Sequence, residues 1–124
     1  MMTDWQEFKG GEYNERYKTL RVTMNKNGEI NLGMRAFERL GRPAAVKLFF
    51  DVGGSRIGVK AVPPGEKTFE VVRRTEAHYG MIRGASFCKF YGIRPEGTIV
   101  FQDVEIDPDG MMVLDLKVAR RLRH

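Results

Sequence analysis

The chain has 124 residues, of which 42% are hydrophobic and 30% are charged. These proportions are those of one globular domain, and they exclude wholesale disorder. No apolar run approaches the roughly 18 residues that a membrane span requires, and the polar N-terminus lacks the pattern of a signal peptide. The single Cys88 excludes an internal disulfide and is typical of a reducing compartment. We therefore expect a cytoplasmic protein that does not bind membranes.

The net charge is +5, and its distribution along the chain is uneven. Residues 16–60 contain ten basic and three acidic side chains, whereas residues 95–116 contain six acidic side chains and no basic one. Basic residues return at the C-terminus, with Lys117, Arg120, Arg121 and Arg123. This polarity favours an anionic partner on one side or head-to-tail self-association, and solvated surface charge is the alternative.

Residues 1–17 are polar with isolated aromatics, and we expect an irregular N-terminal arm. Alternation of Leu20, Val22 and Met24 with polar residues then predicts a strand. Asn25-Lys26-Asn27-Gly28 predicts a tight hairpin turn with positive φ at both Asn27 and Gly28. After a second short strand, residues 34–40 predict a helix that ends at Gly41. Two further strands follow over residues 46–50 and 57–59.

The same order of elements returns after residues 63–65. Strands are predicted at 69–72 and 79–82, a helix at 84–91 ending at Gly92, a long strand at 99–106, a turn at 107–110 and a closing strand at 112–116. Superposing Gly41 on Gly92 aligns Leu40 with Tyr91. The chain is therefore interpreted as an arm followed by one domain, 18–124, of two pseudo-repeats, 18–62 and 66–117, with a basic C-terminal tail. The expected shared core consists of Val22, Leu40, Val46, Leu48, Ile99, Phe101 and Leu114.

Three stretches of this sequence, 20–32, 35–41 and 91–99, resemble the AbrB and MazE group of proteins. The third reads Tyr-Gly-Ile-Arg-Pro-Glu-Gly-Thr-Ile, similar to the Leu-Gly-Ile-x-Pro-Gly-Asp-x-Val signature of that group. The resemblance implies a mainly β, α+β fold, a swapped-hairpin barrel formed by the two tandem pseudo-repeats. It also implies DNA contacts from basic residues of the first hairpin and helix. The candidates are Arg21, Lys26, Arg35 and Arg39, together with Arg42 in the same basic stretch.

No residue pattern indicates an enzyme, a metal site or a cofactor site. His78 lacks a neighbouring acid or nucleophile motif, and His124 is the last residue. Residues 105–110 imitate the start of a calcium loop, but Leu116 stands where such a loop needs a bidentate Glu. Residues 107–110 are better interpreted as a hairpin turn. The aromatic residues lie mostly at core-facing spacing, which makes base stacking the less favoured use for them.

The leading hypothesis is a non-enzymatic DNA-binding protein that acts as a transcriptional regulator. Its proposed contacts to duplex DNA are the five basic residues above. The alternative is a protein-binding or scaffold domain of the same fold that has lost DNA binding. In that alternative, the acidic stretch 95–116 docks a basic partner or a second copy of the chain.

Overall fold

A computed structural model describes residues 20–73 and 80–122 of the chain. Residues 1–19 with the expected N-terminal arm, residues 74–79 with His78, and residues 123–124 lie outside the described residues. The described elements, in chain order, are β1 (Val22–Met24), β2 (Glu29–Leu32), α1 (Met34–Arg39), β3 (Ala45–Asp51), β4 (Arg56–Val62), β5 (Phe69–Arg73), β6 (Gly80–Arg83), α2 (Ala85–Tyr91), β7 (Ile99–Val100), β8 (Glu105–Ile106), β9 (Met111–Asp115) and β10 (Arg120–Arg121). A short 3-10 turn, Leu116–Val118, joins β9 to β10.

The strands form one antiparallel sheet that curls into a half-barrel, in the order β10-β7-β1-β2-β6-β5-β3-β4-β9-β8. The mainly β character with short helices is as the sequence predicted. The sheet curls because alternate residues of most strands are apolar and must share one interior. Met24, Ile30, Ile57 and Leu114, from four different strands, are fully buried in that interior.

Strand pairs run both within and between the two halves of the chain. Hairpins β1–β2, β3–β4, β5–β6 and β8–β9 join strands that are neighbours in sequence. Four other pairs, β1–β7, β2–β6, β3–β5 and β4–β9, join residues 22–62 to residues 69–115. Every strand of the first half therefore pairs with a strand of the second half.

Two hairpin turns share one hydrogen-bonding pattern. The side-chain oxygen of Asn25 accepts from the backbone N–H groups of Asn27 and Glu29, both at 3.0 Å. Asp107 Oδ1 accepts from the second and fourth residues after it in the same way, both at 2.9 Å. The predicted turns are confirmed at both positions. The expectation of positive φ at Asn27 is wrong: only Gly28, at +79°, has positive φ in the first turn.

Both helices end in the same backbone motif. After α1, Gly41 has a φ of +89°, and the N–H of Arg42 donates to the carbonyl of Phe37 at 2.9 Å. After α2, Gly92 has a φ of +69°, and the N–H of Ile93 donates to the carbonyl of Cys88 at 2.8 Å. This six-to-one bond satisfies a carbonyl of the last helical turn and needs a left-handed residue, which favours glycine. The predicted helix ends are confirmed.

The core is a single cluster to which both halves contribute. Of the seven predicted core residues, Leu48 and Ile99 are partly buried and pack against the cluster, and the other five are buried. Phe37 of α1 and Phe87 of α2 also belong to the core, so each helix closes one part of the sheet.

One prediction near the C-terminus is wrong. The long strand expected over 99–106 is broken into β7 and β8, because the chain bends at Asp103, whose φ is +52°. Asp adopts this left-handed conformation more readily than most residues. The predicted basic C-terminal tail includes a short strand, in which Arg120 and Arg121 pair with Val100 and Ile99 of β7.

Candidate functional site

The five predicted DNA contacts are all exposed side chains. Arg42 forms an ion pair with Glu38, four residues before it, at 3.1 Å. Among the described residues, none forms an ion pair with Arg21, Lys26, Arg35 or Arg39. With respect to the described part of the chain, four of the five guanidinium or ammonium groups therefore remain available to an external anion.

Four of these residues lie on α1 or next to one of its ends. The carbonyl of Arg21 accepts from the N–H of Gly33 at 2.8 Å, which places Arg21 against the residue that precedes α1. Arg35 and Arg39 lie on α1, a helix only about 9 Å long at 1.5 Å per residue. Arg42 follows immediately, beyond Gly41. We call Arg21, Arg35, Arg39 and Arg42 the basic helix end.

Lys26 does not belong to the basic helix end. It lies in the β1–β2 turn, and Arg21 precedes the opposite end of β1, about 16 Å away at roughly 3.3 Å per residue. The turn contacts the start of α2 instead, because the N–H of Gly84 donates to the carbonyl of Gly28 at 3.0 Å. The resemblance to the AbrB and MazE group placed Lys26 with the arginines, because it implies contacts from both the first hairpin and the helix. The register of that hairpin separates them.

The acidic stretch 95–116 does not form a uniformly negative face. Asp115 pairs with Lys117 at 3.3 Å, and Glu96 approaches Arg121 at 3.6 Å. The backbone N–H of Lys117, which donates to Asp115, lowers the pKa of that carboxyl group, and the ammonium group adds to this effect. Asp103, Glu105 and Asp109 remain exposed and form no ion pair with a described residue.

The β3–β4 turn carries another ion pair beside these groups. Asp51 accepts two hydrogen bonds from the guanidinium of Arg56, at 2.7 and 3.0 Å. These bonds, together with the N–H of Gly54, lower the pKa of Asp51. Lys117 Nζ also donates to the carbonyl of Gly54, which ties the segment after β9 to this turn.

A set of aromatic rings at the end of α2 is the feature that sequence reasoning missed. Phe87, buried, contacts Tyr91 with ring centroids 5.1 Å apart, and Tyr91 contacts Phe90 at 4.8 Å. Phe50 of β3 packs against Tyr91, also at 4.8 Å. Phe90 is 80% exposed, so the expected core-facing role is wrong for this ring. The available signal was the helical position: the buried residues of α2 are Phe87 and Cys88, and Phe90 lies about 110° around the helix from their mean direction, at 3.6 residues per turn.

A groove of about 500 Å³ opens beside Tyr91. Its walls come from the β3–β4 hairpin, the residues after α2, β7 and the segment after β9. The apolar lining includes Phe50, Val52, Ile93 and Ile99, and Arg94 lines the same groove. Such a concave apolar surface next to a cation is suited to a flat ligand that carries negative charge.

Residues capable of holding a metal do not cluster in the part of the chain that the structure describes. Cys88 is buried, and its Sγ donates to the Sδ of Met24 at 3.7 Å. Burial raises the pKa of this thiol, so it stays protonated at neutral pH. Among the described residues, no helix is long and apolar enough to cross a membrane.

Comparison with known proteins identifies no relative: no protein-family model, no curated protein and no solved structure matches this chain.

Proposed function

We propose that this protein is a non-enzymatic DNA-binding protein of the AbrB-like type, and that the basic helix end contacts the DNA backbone. The observation that carries the proposal is the concentration of exposed cations around α1, of which Arg21, Arg35 and Arg39 form no ion pair with a described residue. Unpaired arginines are the side chains best suited to bind phosphate oxygens. In this role the protein acts as a transcriptional regulator.

The pattern of strand pairing supports the fold part of the proposal. In a swapped-hairpin barrel, the second hairpin of each copy pairs with the first hairpin of the other copy. Here β3 pairs with β5, and β7 pairs with β1, so strands are exchanged between the two halves. The pairs β2–β6 and β4–β9 each join equivalent strands of the two halves. One chain would thus contain what is otherwise a dimer of two short chains.

Lys26 has a separate place in the proposal. Because it lies about 16 Å from Arg21, it contacts a different phosphate, and it contributes less than the basic helix end. The two groups can therefore be tested independently.

The test is fluorescence anisotropy with a labelled random-sequence duplex, measured from low to moderate salt. We expect the logarithm of the affinity to fall with the logarithm of the salt concentration, by about 0.9 per phosphate neutralised. Replacing Arg21, Arg35 and Arg39 by Gln should weaken binding and reduce that slope by roughly one unit for each phosphate that is no longer neutralised. Replacing Lys26 alone should reduce it by at most one.

A matched control removes the same charge elsewhere. Lys47, Lys67 and Arg83 are exposed and do not belong to the basic helix end. When these three residues are replaced by Gln, the affinity for duplex DNA should still fall steeply with salt concentration. The fall should be steeper than for the variant in which Arg21, Arg35 and Arg39 are replaced. Equal binding by the two triple variants would reject the site, and no binding at tens of micromolar protein would reject the function.

A second candidate function is docking of a basic protein, favoured by the exposed Asp103, Glu105 and Asp109, which form no ion pair with a described residue. Glu105 lies on β8, the last strand of the sheet order. If duplex DNA does not bind, this surface becomes the leading candidate. Replacing the three acidic residues by Asn and Gln should then abolish capture of a basic polypeptide such as polylysine.

A further inference from the structure

The ends of the two helices occupy equivalent positions in the two halves but carry different chemistry. Alignment of Gly41 with Gly92 places Arg39-Leu40 opposite Phe90-Tyr91. Leu40 is 8% exposed and closes the core, whereas Tyr91 is 39% exposed and Phe90 is 80% exposed. One helix end therefore presents cations to solvent, and the other presents aromatic rings.

Other aromatic rings, closer to the core, support the exposed rings of Phe90 and Tyr91. Phe90 meets Tyr91 edge to face, with an interplanar angle of 80°. Tyr91 in turn packs on Phe87, which is buried, and on Phe50, which is partly buried against the core. A ring supported in this way loses little conformational entropy on binding, so its exposed face is available for stacking at low cost.

Cations surround these rings. Lys89 precedes Phe90 in α2 and is exposed, and Arg94 lies at the groove beside Tyr91. Arg120 and Arg121 of β10 pair with β7, whose Ile99 lines the same groove. Glu96 offsets part of this charge through Arg121. The surroundings of the groove remain net positive and favour an anionic ligand.

We propose that the end of α2 binds single-stranded nucleic acid. One unpaired base stacks on Phe90, a neighbouring base enters the groove beside Tyr91, and Lys89 and Arg94 bind the phosphate between the two nucleotides and the phosphate next to it. Aromatic platforms flanked by cations are the usual means of holding single strands, because every base offers a flat face and every linkage carries a charge. In a duplex the base faces are covered by stacking, so this site requires unpaired bases.

This site is separate from the basic helix end. It shares with the proposed function only the premise that nucleic acid is the ligand. The competing occupant is an acidic peptide with an apolar anchor, which would fill the groove without needing the exposed face of Phe90.

The test measures anisotropy of a labelled twelve-nucleotide oligo(dT), which cannot pair with itself. We expect binding at low salt and a loss of affinity of about fivefold to a hundredfold or more for Phe90→Ala, the range that corresponds to one stacked base. Phe90 is so exposed that the variant should fold, which circular dichroism would verify. The matched control is Phe49→Ala, which truncates another exposed ring, 43% accessible, on β3. It should bind oligo(dT) as the unaltered protein does.

Two further measurements distinguish this site from the basic helix end. The variant lacking Arg21, Arg35 and Arg39 should keep its affinity for oligo(dT), and Phe90→Ala should keep its affinity for duplex. If oligo(dT) binding depends on Phe90 while duplex DNA does not bind, this inference stands and the proposed function fails. Absence of oligo(dT) binding at 100 µM protein, equal losses for Phe90→Ala and Phe49→Ala, or capture of an acidic aromatic peptide in place of oligo(dT) would overturn it.

Discussion

The phenylalanines of this chain occupy opposite environments, which depend on the face of the element that carries them. Phe37 and Phe101 are 2% and 3% exposed, and they pack from α1 and from the residue after β7 into one cluster. Phe49 and Phe90 are on the outer faces of β3 and α2. Buried rings of this size contribute more to stability than a surface ion pair does.

We predict that Phe37→Ala or Phe101→Ala lowers the free energy of unfolding by about 3–5 kcal/mol, because each leaves a large cavity in a packed core. Urea denaturation followed by circular dichroism would measure the change. Phe49→Ala serves as the control and should cost less than about 1 kcal/mol, as surface substitutions usually do. A comparable loss for all three variants would contradict the assignment of Phe37 and Phe101 to the shared core.

Two separate constraints favour glycine at position 28, where the first hairpin contacts α2. Gly28 has a φ of +79°, which disfavours any side chain. A Cβ at this position would also lie 2.9 Å from the Cα of Ala85, at the start of α2. Gly110, in the similar turn after β8, has a φ of +84° but has no atom within 4 Å of such a Cβ.

These two glycines allow a matched comparison. Gly110→Ala should cost about 1–2 kcal/mol, the usual penalty of a left-handed residue with a side chain. Gly28→Ala should cost clearly more, because the turn must also move away from the backbone of α2. Thermal unfolding of both variants would measure the difference. Equal costs would mean that the turn and α2 separate without loss, so their contact adds nothing to stability.

At the scale of the whole molecule, the pairing between the two halves determines what can fold. Strands β1 to β4 each pair with a strand from residues 69–115. A half of the chain alone would leave these backbone edges unpaired and half of the core exposed. Folding should therefore require both halves.

We expect fragments 1–65 and 66–124 to be either unfolded or self-associated when expressed separately. Self-association is possible because a second copy of one fragment can supply strands equivalent to those of the missing half. Mixing the two fragments should restore a 1:1 complex with the circular dichroism spectrum of the intact chain. Size-exclusion chromatography would report the assembly state. A single fragment that is monomeric and unfolds cooperatively would show that the halves are independent domains.

The sequence by itself determined the local elements, because their signals are local. Alternation at Leu20, Val22 and Met24 depends on the two-residue period of a strand, and the glycines after both helices depend on φ angles that other residues avoid. The break at Asp103 was not predicted because the residues around it still alternate as in a strand. The structure alone shows the positive φ of Asp103, at which the chain bends.

Only the tertiary structure decided how the surfaces are composed. The resemblance to the AbrB and MazE group assigned Lys26 to the same site as Arg21, but strand register separates the two. The acidic stretch looked continuous, but β10 and the 3-10 turn bring Arg121 and Lys117 to two of its carboxylates. The aromatic cluster at the end of α2 also depends on the tertiary structure, because it includes Phe50 of β3. Phe50 precedes Phe87 by 37 residues in the chain. Elements form through contacts between near neighbours in sequence, whereas a site forms through contacts between distant ones, and these depend on which strands pair.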